Sequence, residues 1–200
     1  MRVAFGLKAH SGWSALVVVG ISSGELRIVD RRRIDLVEKR DSAWAKQPYH
    51  AADGLDPDEA RNLVTRAIEA AHRVAVREMR EAIKRSGQCK HDIAACALLV
   101  PRPMPNWSTD EILAVHFRMH KAEGVLFPDA LARAAKACGL RLLAIPEKQL
   151  FEEVESALRV PLSGLMEQIA SLGKSVGPPW GKDQKSAALA AMVALQGDAA

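Results

Sequence analysis

The chain has 200 residues, of which 48% are hydrophobic and 26% charged, and its formal net charge is +4. This composition excludes a disordered chain, and the length suffices for one domain with a real core. No apolar run approaches the ~18 residues of a membrane span, and the N-terminal apolar run is too short for a signal peptide. The three cysteines, Cys89, Cys96 and Cys138, form no CxxC pair. We therefore expect a reducing, cytoplasmic setting.

The first forty residues predict three antiparallel strands joined by two tight turns. The runs Arg2 to Lys8, Trp13 to Gly20 and Leu26 to Val37 are rich in strand-forming residues, and glycine-containing turns separate them. Short turns between such runs are typical of a meander. The charged stretch 30–33 within the third run indicates a solvated strand face or a bulge.

A long helix is predicted after an irregular, polar stretch at residues 38–56. Asp56 is a suitable N-cap, Pro57 suits the first helical position, and Glu59 can complete a capping box. The helical pattern continues to Ser86 and Gly87, with apolar residues on one face.

The opposite face of this helix is basic. Five cations fall on it within about 60° of one another by helical geometry; they are Arg66, Arg73, Arg77, Arg80 and Lys84. Such a face could contact a phosphate backbone weakly and without sequence preference. It could equally be a solvated face whose charges pair with Glu69, Glu78 and Glu81.

The remainder of the chain alternates strands and helices. A continuous apolar run at 93–100 predicts a strand covered on both faces, and Ser108 with Glu111 predicts a capping box. The predicted order is a strand at 93–100, helices at 108–121 and 128–138, a strand at 141–145, helices at 147–158 and 162–172, a loop at 173–181 and a helix at 185–195.

This order predicts one α/β domain over residues 1–200, with a five-stranded mixed sheet and helices on both faces. It resembles the ribonuclease-H-like fold. Three segments resemble the Holliday-junction resolvase branch of that fold: Gly6-Leu7-Lys8 with the following Trp13–Leu16, the stretch Ile145–Leu150, and Lys182–Ala190. Folds of this kind host many functions, so the resemblance alone assigns none.

The resemblance implies a site of about four carboxylates that holds two Mg²⁺ ions. Here the first-strand aspartate position is Lys8, and the stretch after the fourth strand ends in Arg102 without an acid. Asp183 matches the closing motif, and the second closing position is Ser186. We therefore expect no catalytic residue, no metal at the strand ends and no cofactor. Lys8 and Arg102 could instead accept an anion, or Lys8 could simply pair with Asp183.

Two histidines, His116 and His120, lie one helical turn apart, which is a spacing used by zinc ligands. No glutamate follows the first histidine and no third ligand is evident, so we expect solvated or capping side chains. Trp180, in the loop at 173–181, either anchors a partner or closes the edge of the core.

Three functional hypotheses follow. The first is a non-catalytic binding domain for nucleic acid, or for a protein partner in a larger complex. The second is a hydrolase with a different active site around Asp183 and His10. The third is a structural interaction module, such as a dimer. Metal uptake separates the second hypothesis from the others, and salt-dependent binding to nucleic acid separates the first from the third.

Overall fold

The computed structural model describes residues 1–197, apart from the side chain of Leu162; the predicted domain span of 1–200 thus extends beyond the described residues. Within them the chain forms five strands and seven α-helices. The strands are β1 (Arg2–His10), β2 (Trp13–Ser22), β3 (Glu25–Asp35), β4 (Asp92–Val100) and β5 (Leu142–Pro146). The helices are α1 (Pro48–Ala51), α2 (Pro57–Gln88), α3 (Thr109–Leu113), α4 (His116–Ala137), α5 (Leu150–Leu158), α6 (Leu162–Val176) and α7 (Lys182–Gln196).

The strands form a single sheet in the order β3-β2-β1-β4-β5. The first three strands pair antiparallel, whereas β1–β4 and β4–β5 pair parallel. The predicted mixed five-stranded sheet is confirmed. At one end of the central strand, Lys8 pairs with Ala15 on β2 and with Leu99 on β4, so its side chain lies at the carboxyl edge of the parallel strands.

Helices cover both faces of the sheet, as predicted. Residues Val3, Phe5 and Leu7 of β1 belong to the core shared with α2 and α4, whereas Ala4 belongs to the core shared with α5, α6 and α7. This alternation follows from the two-residue period of a strand. Among the described helices, none is long and apolar enough to cross a membrane.

Helix α2 begins at Pro57, as predicted, and its N-cap is Asp56, whose Oδ1 accepts a hydrogen bond from the Asp58 amide at 2.9 Å. The structure assigns no capping box to this N-terminus, so the expected role of Glu59 is not found. The helix continues to Gln88, one residue beyond the predicted end.

Helix α7 lies unusually close to β1. A Cβ atom added to Gly6 would be 1.8 Å from the carbonyl oxygen of Ala187. Alanines on the helix, including Ala190 and Ala194, are fully buried against the sheet. Small side chains on both elements therefore permit this approach, which brings the first turn of α7 to the carboxyl end of β1.

Three predictions about elements were wrong. Helix α6 continues to Val176, so the loop predicted at 173–181 covers only residues 177–181. The helices expected at 108–121 and 128–138 are instead the short α3 and the long α4, and Pro128 lies inside α4. The hydrogen bond that Pro128 cannot donate would go to the carbonyl of Gly124, an exposed residue, so water can satisfy that carbonyl. The stretch 38–56 is not wholly irregular, since it holds a 3₁₀ turn at Lys39–Asp41 and helix α1.

The loop before α7 is fastened to the sheet and to α6. The guanidinium of Arg31 on β3 donates to the carbonyl oxygens of Gly177 at 2.9 Å and Pro178 at 3.1 Å. Trp180 is half-buried, and its Nε1 donates to the Ile169 carbonyl oxygen at 3.0 Å. Trp180 thus closes the edge of the core, which was one of its two predicted roles.

Candidate functional site

Four side chains meet at the carboxyl edge of the parallel strands; we call them the Lys8 cluster. Lys8 Nζ lies 2.7 Å from Glu147 Oε1 and 3.4 Å from Asp183 Oδ1. His10 Nε2 lies 3.1 Å from the other oxygen, Asp183 Oδ2. Lys8 and His10 come from β1, Glu147 follows β5, and Asp183 is in the first turn of α7. The predicted Lys8–Asp183 contact is therefore present.

Two acidic neighbours, Glu147 and Asp183, stabilise the charged form of Lys8. Burial lowers the pKa of Lys8, but its hydrogen bond with Glu147 and the charges of Glu147 and Asp183 outweigh burial, so the pKa is raised. The Lys8 side chain is 8% exposed, against 50% for Glu147 and 28% for Asp183. The ammonium is thus a buried cation between two partly solvated carboxylates.

This arrangement does not fit the two Mg²⁺ ions that the resolvase resemblance implies. A magnesium site needs several oxygen ligands around a free position. Here the Lys8 ammonium lies between Glu147 and Asp183, and a cation so placed repels a divalent ion. We therefore derive no reaction step through magnesium from these residues.

The other two positions taken from the resemblance lie differently. Ser186 is buried in α7, one turn after Asp183. Arg102 is exposed beyond the end of β4, and no ion pair within residues 1–197 joins it to the Lys8 cluster. An anion site that uses both Lys8 and Arg102 stays a hypothesis.

Sequence reasoning did not include Glu147 in this cluster. The sequence does contain a signal for it, namely that Glu147 directly follows the last strand. An acid in that place lies at the same sheet edge as the end of the neighbouring parallel strand. Its strand, β5, is parallel to β4, which is parallel to β1. Glu147 is therefore brought to Lys8 by the sheet topology.

The second candidate site is the outer face of α2. All five cations of this basic face are exposed; they are Arg66, Arg73, Arg77, Arg80 and Lys84. The opposite face of the helix is buried through residues such as Val64, Ala71 and Met79. The predicted division of α2 into an apolar and a basic face is therefore seen in the structure.

Within the described residues, acidic side chains form ion pairs with two of the five cations, Arg73 and Arg77. Arg73 Nη1 lies 3.8 Å from Glu69 Oε2, and Arg77 pairs with Glu78 at 3.1 Å. Arg77 also meets Glu38 at 2.5 Å, a contact from outside the helix that sequence reasoning missed. The hydrogen bonds that Arg77 donates to Glu38 and Glu78, with the charges of these two acids, outweigh the effect of burial and raise the pKa of Arg77.

Beside Arg77 the basic face borders an open groove between β3 and the segment after it, with a volume of about 650 Å³. Three further cations, Arg33, Lys39 and Arg40, line this groove, and so do three acids, Asp35, Glu38 and Glu78. The Arg33 guanidinium lies 4.3 Å from the centre of the Trp13 ring, which in turn stacks on His10 at 4.4 Å. A stack of three planar groups thus connects the groove with the Lys8 cluster.

Comparison with known proteins shows similarity at the level of structure alone. No family model and no curated protein sequence matches this chain. The structure of Thermus thermophilus RuvC in complex with Holliday junction substrate is 13% identical and has a TM-score of 0.51. That similarity covers 96% of this chain and 92% of RuvC.

Two further structures are less similar. Another Thermus thermophilus RuvC structure has 12% identity and a TM-score of 0.48, with the same shares covered, 96% and 92%. The Aquifex aeolicus member of the Ppx/GppA family has 15% identity and a TM-score of 0.38 over 76% of this chain and 38% of its own.

The similarity to RuvC extends over nearly the whole of both chains. It agrees with the observed strand order and with the helices on both faces. The chain therefore has a ribonuclease-H-like fold that resembles the Holliday-junction resolvase branch.

Proposed function

We propose that this chain is a non-catalytic binding domain for nucleic acid, which it holds by its phosphates through the basic face of α2. One observation carries the proposal: five exposed cations lie along one side of a single helix whose other side is buried. Helix-borne arginine and lysine are common phosphate contacts. Binding of this kind is weak and independent of sequence.

The cations of the basic face differ in whether an acidic side chain already contacts them. Arg80 and Lys84 are exposed, and no ion pair of the described residues involves them. The partners of Arg73 and Arg77 are weak competitors, because ion pairs between exposed side chains contribute at most about 1 kcal/mol. A phosphate backbone could therefore displace them.

The groove beside Arg77 supports the same ligand class. It adds Arg33, Lys39 and Arg40 to the cations near the basic face. A nucleic acid that followed α2 would pass this groove beside Arg77, where four cations stand against three acids.

The Lys8 cluster supports the non-catalytic part of the proposal. The Lys8 ammonium lies between Glu147 and Asp183, so these two acids do not form the carboxylate pair that metal-assisted hydrolysis uses. The free cysteines agree with the cytoplasmic location that we propose alongside this function.

The nucleic acid used first should include a four-way junction, because the RuvC of similar fold was solved with a Holliday junction substrate. We expect the junction to bind no more tightly than its charge predicts, because binding by exposed cations depends on the number of phosphates that they neutralise. Comparison with duplex and single-stranded DNA of equal length tests this expectation.

The test is an electrophoretic mobility assay on these three substrates at low salt. We expect the wild type to shift all three and the variant Arg73→Glu/Arg77→Glu/Arg80→Glu to shift none. The control Arg27→Glu/Lys136→Glu/Lys174→Glu changes net charge equally at exposed positions elsewhere, and it should bind like the wild type. Two results would favour a protein partner or a structural module instead. One is that the wild type shifts none of the three substrates, and the other is that the variant with three glutamates on the basic face binds them as well as the wild type does.

A further inference from the structure

Three histidines converge on the side of the sheet opposite to α7. His50 lies in α1, and His116 and His120 lie in the first two turns of α4. One ring nitrogen from each lies within 4.8 Å of the other two. His116 Nε2 and His120 Nε2 are 3.0 Å apart. We call these three residues the histidine cluster.

A buried carboxylate fixes the ring of His50. Glu123 has 5% of its side chain exposed, and its Oε2 lies 2.8 Å from His50 Nδ1. Its Oε1 accepts a hydrogen bond from the backbone amide of His50 at 3.1 Å. Both oxygens of Glu123 thus contact His50, and a proton on Nδ1 would donate to Oε2 and leave Nε2 as the nitrogen with the lone pair.

A carboxylate placed against one ring nitrogen of a histidine, as Glu123 is against His50, is common at metal sites. Histidines that bind metals almost always donate their other ring N–H to a carboxylate or carbonyl group, which fixes the tautomer and makes the ligand more basic. The Glu123–His50 pair has that form, and Glu123 is itself buried at a position one turn beyond His120. The cluster thus combines three nitrogen donors with an oriented ligand.

From these residues we infer a binding site for one divalent transition metal, of the zinc class, with His50, His116 and His120 as ligands. Three neutral imidazoles suit zinc, nickel, copper or cobalt rather than magnesium. Tetrahedral zinc at 2.0–2.1 Å from each nitrogen sets the nitrogens about 3.3 Å apart. In the cluster, His116 Nε2 and His120 Nε2 are 3.0 Å apart, and no pair of the three ligand nitrogens is more than 4.8 Å apart.

The fourth position of such a site faces solvent, because the side chains of His116 and His120 are exposed. Water would complete the coordination there. A metal at this position would also tie α1, in the segment between β3 and α2, to the start of α4.

Sequence reasoning found only His116 and His120, because their spacing is local. The third ligand comes from the segment 38–56, which was predicted to be irregular, and it is brought there by packing of α1 on α4. A single histidine in a polar stretch gives no local signal of this contact.

The test uses the untagged full chain, stripped with a chelator and titrated with ZnCl₂ by calorimetry. We expect one zinc per chain with micromolar or tighter affinity, and a midpoint of thermal unfolding that rises with zinc concentration. The variant His116→Ala/His120→Ala changes exposed side chains, so it should fold and should lose at least a hundredfold in affinity.

Two controls separate this site from other zinc ligands. His91→Ala and Cys89→Ser alter donors outside the cluster and should bind zinc as the wild type does. Glu123→Gln should weaken binding about 10- to 100-fold, since it removes the negative charge of the carboxylate that contacts His50. Cobalt added to the wild type should give the visible absorption of a tetrahedral site. No uptake by the wild type, or equal uptake by His116→Ala/His120→Ala, would overturn the inference.

Discussion

The Lys8 ammonium lies 2.7 Å from Glu147 Oε1, although the two residues come from β1 and from the turn after β5, with β4 between those strands. Asp183 Oδ1, at 3.4 Å, joins the same ammonium from α7. A single buried cation thus connects the central strand with two elements that follow it. In the resemblance to resolvases, an aspartate for metal binding stands where Lys8 stands.

The first prediction concerns the stability that this cation supplies. Replacement of Lys8 by methionine leaves Glu147 and Asp183 facing each other without a counter-charge. Because both carboxylates are partly solvated, we expect a loss of about 1–2 kcal/mol at pH 7, less than for a fully buried pair. Urea denaturation at pH 7 measures it.

The same variant gives a pH dependence of definite sign. The pKa of Lys8 is raised above its ordinary 10.5, so its stabilising effect is complete below pH 10.5 and is lost as the pH rises through the folded-state pKa. The difference in unfolding free energy between wild type and Lys8→Met should therefore be constant from pH 7 to 9 and shrink above pH 10.5. A difference that grows above pH 10.5 would contradict this assignment.

A second prediction concerns catalysis. Lys8→Asp adds a carboxylate beside Glu147 and Asp183, so three would meet there, while Ser186 and the stretch ending in Arg102 still supply none. The site that the resemblance implies has about four carboxylates around two metal ions, so this change leaves it incomplete. We expect neither wild type nor Lys8→Asp to cleave a four-way junction with Mg²⁺ or Mn²⁺. Cleavage that persists after repurification and depends on Asp183 would refute the non-catalytic assignment.

The third prediction tests the close approach of α7 to β1. Gly6→Ala places a Cβ atom 1.8 Å from the Ala187 carbonyl oxygen, so the backbone of α7 must move. We expect a loss of about 3 kcal/mol or more, at the upper end for an overpacked core. Gly124→Ala, in open space on α4, should instead gain about 0.5–1 kcal/mol. Guanidinium denaturation of both variants measures the contrast.

Local signals in the sequence were sufficient for the meander and for the start of α2. The turns between β1, β2 and β3 and the Asp56-Pro57 pair act over a few residues, so their effect can be read from neighbours in the chain. The resemblance to resolvases also placed Asp183 near Lys8, and the structure has that contact.

Contacts between distant segments could not be predicted in the same way. Glu38 reaches Arg77, Glu147 reaches Lys8, and His50 reaches the start of α4 only because the folded elements pack there. The continuity of α4 through Pro128 has the same origin. Packing of its buried residues on the core outweighs the local cost of a proline inside a helix.

The basic face of α2 is the central claim, and the salt dependence of binding tests it most directly. Fluorescence anisotropy with a labelled DNA measures the affinity of the wild type across a KCl series. If all five cations met phosphates, the logarithmic slope of affinity against salt would be roughly −3.5 to −4.5. Pairing of Arg73 with Glu69 and of Arg77 with Glu38 and Glu78 should make it shallower.

The decisive comparison is between this slope and that of Arg73→Ala/Arg77→Ala/Arg80→Ala. Removal of three phosphate contacts should weaken binding and flatten the slope by up to about 2–3. The variant should keep the unfolding free energy of the wild type within about 1 kcal/mol, because the side chains removed are exposed. The account predicts a steep wild-type slope that these three changes flatten. A wild-type slope near zero, or the same slope and affinity in the variant, would contradict it.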